Sequence, residues 1–94
     1  TDCIYFYYEE SLFNVEFEAV AEDQLPYMAK LESFAEANGI AYKLTSYKDK
    51  TSHQTVPVIR LQVNASADEA SRLGEHIQKE VFGNDENTVY EVVP

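Results

Sequence analysis

Apolar and polar residues alternate along this chain with two different periods, and each switch of period marks an element. Over 13–21 the period is two. Phe13, Val15, Phe17 and Ala19 fall on one side and Asn14, Glu16 and Glu18 on the other, the pattern of a half-buried strand. From 24 to 38 the period becomes helical, with Leu25, Met28, Leu31, Phe34 and Ala35 in one stripe. Asp23 is placed to cap that helix, Pro26 suits its first turn, and Asn38-Gly39 supplies the stop. Alternation resumes at 40–47, with Ile40, Tyr42 and Leu44 opposite Lys43, Thr45 and Tyr47. A polar hairpin loop, Lys48 to Gln54, leads to a strand at 55–63, where Ile59, Leu61 and Val63 oppose Val58, Arg60 and Gln62. Ser66-Ala67-Asp68-Glu69 then reads as a capping box, opening a helix over 67–82 with Ala70, Leu73, Ile77 and Val81 inward and Gly83 at its end. A β-branched strand is expected at 88–93.

Strand-helix-strand twice over predicts a ferredoxin-like β-α-β-β-α-β two-layer sandwich, within a single α+β domain spanning 1–94. Both helices bury their single stripes on one sheet face. The other face stays open and carries Asn14, Glu16, Glu18, Lys43, Thr45, Arg60 and Gln62. Strands 13–21 and 55–63 are neighbours in this topology, so Arg60 is expected to pair with Glu16 or Glu18. Ahead of the core at 12–94, residues 1–11 form an additional aromatic edge strand, Cys3-Ile4-Tyr5-Phe6-Tyr7-Tyr8. It is apolar on both sides and needs cover from the sheet or from another chain.

Charge narrows the function. Seventeen acidic residues against seven basic ones give −10. Residues 1–29 hold seven carboxylates and no cation, whereas 43–63 hold Lys43, Lys48, Lys50 and Arg60 against Asp49 alone. Such a balance repels phosphate backbones, so direct binding of DNA or RNA is not expected, while a basic protein surface is attracted. RNA-recognition domains of this fold set aromatics where this chain has Glu16, Glu18, Arg60 and Gln62. No segment reads as a signal peptide or a membrane span, and the single cysteine, Cys3, forms no metal or redox motif. These features are those expected of a soluble cytoplasmic protein without membrane association.

Candidate chemistry is sparse. Lys48, Lys50, Ser52 and His53 form the one locally basic loop, a candidate anion-binding site that reads more readily as a solvated hairpin tip. His76 has no second ligand at helical spacing, and Cys3 sits among acids and aromatics that keep a thiol protonated. No catalytic residues, metal or cofactor are expected. The leading expectation is a non-catalytic binding protein whose acidic, tyrosine-rich surface, Tyr5, Tyr7, Tyr8, Glu9, Glu10, Glu16 and Glu18, engages a basic partner. Its sharpest form is a nucleic-acid mimic that inhibits a nuclease or another DNA- or RNA-handling protein. The rivals are a dimeric α+β-barrel ligand-binding protein or small enzyme, its open sheet faces packed together, and a structural subunit that pairs through its N-terminal strand.

Overall fold

The computed structural model describes residues 4–9, 11–83 and 92–93. Cys3, Glu10 and most of the strand expected at 88–93 lie outside the described residues. Within them the elements are β1 (Ile4–Glu9), β2 (Leu12–Glu18), a 3-10 turn (Glu22–Gln24), α1 (Leu25–Ala37), β3 (Ala41–Lys48), β4 (Thr55–Val63), α2 (Ala67–Glu80) and β5 (Val92–Val93). They make a two-layer α+β sandwich. The sheet order is β3-β4-β2-β1-β5, with the first four strands antiparallel and β5 parallel to β1.

Register shows why the alternation is so regular. Phe6 pairs with Val15 and Val15 with Leu61, while Ile4, Phe17, Ile59 and Leu44 form the next row. Both helices cover this face, because Leu31 and Ala35 of α1 and Ala70 and Ile77 of α2 share one core with Phe6, Phe13, Val15, Phe17, Ile59 and Leu61. Each fully buried large side chain there contributes about 1.5–3 kcal/mol relative to exposure. At the sheet edge α1 reaches Tyr42 of β3, whose hydroxyl donates to Glu32, and leaves the next inward residue uncovered. Leu44, expected inside, is 55% exposed on the outermost strand.

α2 begins as its sequence dictates: Ser66 Oγ accepts from the Glu69 N–H at 3.3 Å, and Glu69 Oε1 accepts from the Ser66 N–H at 3.1 Å. That reciprocal cap contributes about 0.5–2 kcal/mol. The start of α1 differs from expectation. Asp23 lies inside the 3-10 turn rather than at the cap. Gln24 holds the N-cap position, and its Oε1 accepts instead from the Val20 N–H at 2.9 Å, folding the connection back onto the end of β2. Gly39 and Gly83 follow the two helices with φ of +66° and +69°, a region L side chains seldom adopt.

The N-terminal strand is not at an edge. β1 pairs with β2 over six residues and with Val92–Val93 through Phe6 and Tyr7, so it has a neighbour on each side. Its two-residue connection to β2 turns through Ser11, whose φ is +66°.

Candidate functional site

The sheet face opposite the helices forms a grid fixed by strand register. One row runs Tyr5, Glu16, Arg60 and Lys43. The row on one side of it is Tyr7, Asn14, Gln62 and Ala41, and that on the other is Glu18, Val58 and Thr45. Asn14 is fully buried and satisfied locally, donating to the Leu12 carbonyl at 2.9 Å and accepting from Gln62 at 3.0 Å.

Arg60 lies directly across from Glu16 as expected, but its guanidinium meets that carboxylate through a third side chain rather than in a direct ion pair. The Tyr7 hydroxyl stands between, donating to Glu16 Oε1 at 2.8 Å while accepting from Arg60 Nη1 at 3.5 Å. The guanidinium instead forms its ion pair with Glu9, at 3.6 Å. Burial pushes the Tyr7 phenol up, the Arg60 hydrogen bond opposes this, and the bond to Glu16 adds to the rise. Arg60 is also pushed up, chiefly by the Tyr7 hydrogen bond.

Beyond this network, Tyr47 reaches inward from the outermost strand and donates to Glu18 Oε2 at 2.7 Å. The span crosses β4 at Val58. Val56 and Val58 are only 6% and 7% exposed, although no helix covers this face. The hydrogen bond to Glu18, reinforced by desolvation and the carboxylate's charge, pushes Tyr47 up to about 12. Tyr5 and Tyr47 remain 45% and 43% exposed, among the largest accessible apolar surfaces of the described residues.

The residues singled out in sequence are therefore divided. Tyr5, Tyr7, Glu9, Glu16 and Glu18 share the open face. Tyr8 points the other way, its ring 5.5 Å from that of Phe13 and its hydroxyl donating to the Ala65 carbonyl at 3.3 Å. Tyr47 joins the face from a distant part of the chain. Its signal was present in the alternation of Lys43, Thr45 and Tyr47, but a search for neighbouring tyrosines passes over it.

In the hairpin loop, two backbone N–H groups and the Ser52 hydroxyl already serve an internal anion. The Thr51 N–H, the Ser52 N–H and Ser52 Oγ all donate to the Asp49 carboxylate, at 3.4, 3.3 and 2.7 Å. These bonds, the Ser52 hydroxyl first, hold Asp49 below the usual carboxylate range. His53 takes a φ of +61° and donates its N–H to the Asp49 carbonyl at 2.8 Å. Lys48, Lys50, Ser52 and His53 are all exposed. His76 lies on α2 with its ring 5.3 Å from that of Phe34.

Among the described residues no group of three or more His, Cys, Asp or Glu side chains is placed to hold a metal, and no helix is long and apolar enough to cross a membrane. An open cleft of about 480 Å³ is lined by Ala29, Lys30, Ser33, Phe34, Glu80 and Val81 along α1 and the end of α2. A smaller one of about 190 Å³ lies where the end of β2 meets the start of β4. No family model, curated protein or solved structure matches the chain.

Proposed function

We infer that this protein is a non-catalytic, cytoplasmic binding module that engages a basic protein partner through the open face of its sheet. The observation that carries this reading is the composition of that face: Tyr5, Tyr7 and Tyr47 stand with Glu9, Glu16 and Glu18 on a surface neither helix covers. Tyrosine offers a partner a large apolar body with a polar tip, and the carboxylates set the sign of the charge that answers them. The formal charge of −10 extends the attraction beyond contact range.

In its sharper form the face imitates a nucleic-acid backbone and occupies the basic groove of a nuclease or another DNA- or RNA-handling protein. Glu16 and Glu18, two residues apart on β2, stand roughly 6.8 Å apart along the strand at about 3.4 Å per residue, a spacing suited to successive lysines or arginines of such a groove. The scaffold is, on this reading, ferredoxin-like, with β1 inserted between β2 and the terminal strand that would otherwise pair with it.

Affinity capture with the full chain, followed by mass spectrometry, identifies the partner, and charge variants test the surface. Glu9, Glu16 and Glu18 changed together to Lys are expected to abolish association, with the helices intact by circular dichroism. Lys48 and Lys50 changed to Glu are expected to leave it nearly untouched. Added salt is expected to slow association more than it speeds dissociation. Loss of the partner by the hairpin variant alone would move the site to Lys48–Gln54 and end this reading.

A further inference from the structure

We propose that Glu18, Tyr5 and Tyr47 form a receptor for one guanidinium group, an arginine side chain presented by the basic partner. This rests on the reading of the open face given above and narrows it to one place and one chemistry.

Three placements converge there. Glu18 ends β2 opposite Val58. Tyr5 stands on the adjoining β1 opposite Glu16, one row away on the same face. Tyr47 comes from the far side of β4, and its hydroxyl grips Glu18 Oε2 at 2.7 Å. The carboxylate is thus oriented by a neutral donor, and among the described residues no cation pairs with it. Arg60, the cation nearest by register, is engaged by Glu9 and Tyr7 instead. Among the described residues only Oε2 of Glu18 is engaged, which leaves Oε1 to accept from an incoming donor, beside the buried apolar pair Val56 and Val58.

The flanking rings complete the chemistry. Tyr5 and Tyr47 are each nearly half exposed, and their π faces attract a cation that has already met the carboxylate. At neutral pH Tyr47 stays protonated and keeps its grip on Glu18. A guanidinium suits this place better than an ammonium, because it is planar, stacks on aromatic faces and sheds its weaker hydration more readily.

The test uses two labelled probes, a Gly-Ser peptide carrying three arginines and the same peptide with three lysines, each titrated with the full chain at low salt. The arginine peptide is expected to bind about two- to fivefold more tightly. It should shift the ring resonances of Tyr5 and Tyr47 before those of Tyr27 or Tyr42. Glu18→Gln, Tyr5→Leu and Tyr47→Leu are each expected to weaken it about two- to fivefold. Tyr47→Phe, which keeps the ring but removes the donor that orients the carboxylate, should weaken binding less than Tyr47→Leu does. Should a variant fail to fold, the shift map on the unaltered chain decides. Equal binding of both peptides, unchanged by Glu18→Gln yet weakened by salt, overturns the guanidinium receptor and leaves the broader reading of the face intact. If neither peptide binds, both fail together.

Discussion

At the scale of single residues, this chain holds three of its carboxylates with phenols. With seven cations for seventeen acids, ion pairs cannot serve most of them. Tyr7 donates to Glu16, Tyr42 to Glu32 at 3.1 Å and Tyr47 to Glu18, each bond raising the phenol's pKa. Burial is the first cause at Tyr7 and Tyr42, the carboxylate bond at Tyr47. Tyr42 and Tyr47 are pushed up to about 12 from an ordinary 10.0. A group with a raised folded pKa contributes stability that is complete below the unfolded pKa and lost as pH rises through the folded one. Stability to urea should therefore fall between pH 10 and about 12. The fall should be shallower in Tyr42→Phe and Tyr47→Phe, each of which removes one titrating phenol. Identical pH profiles for both variants and the parent chain would show that these phenols do not bond their carboxylates in solution.

At the scale of the element, β1 has two unlike faces. Phe6 is buried with its ring centroid 6.1 Å from that of Phe13, while Tyr5, the next residue, is nearly half exposed on the other side. Chemical denaturation should separate them: Phe6→Ala is expected to cost about 3–5 kcal/mol and Tyr5→Ala no more than about 0.5 kcal/mol. Reversed costs would mean that β1 is paired in another register, since a slip of one residue exchanges the faces. Much of this was legible in sequence. The faces of β2, β3 and β4, the adjacency of β2 and β4, and the capping box at Ser66 follow from period and local chemistry. What escaped depended on side chains meeting across the sheet. Alternation places Arg60 beside Glu16, but it carries no sign that a Tyr7 hydroxyl intervenes, or that Tyr47 spans β4 to Glu18. The inner position of β1 was hidden for a similar reason. An apolar strand reads alike whether it is covered by a neighbouring strand or by another chain.

At the scale of the whole molecule, self-repulsion at −10 is expected to outweigh the few ion pairs that offset it. Among the described residues these are Arg60–Glu9 and Lys79–Glu75, the latter an exposed helical pair worth about 0.3–0.5 kcal/mol. Raising sodium chloride from about 10 mM to about 150 mM shortens the screening length from about 30 Å to about 8 Å. The melting temperature should then rise by a few degrees. A fall would mean that local ion pairs outweigh the collective repulsion. The strand order also separates quick events from slow ones. Glu9 meets Leu12 and Lys48 meets Thr55 across short turns, so each hairpin can zip locally within microseconds. Joining them is costlier, because Phe13 finds Val63 only after a loop of fifty residues closes. Phe6 finds Val92, and Tyr7 finds Val93, across eighty-six residues, the widest separation paired among the described residues. During folding, then, the N-terminal hairpin can be locked to β4 while the far side of β1 still awaits the opposite end of the chain.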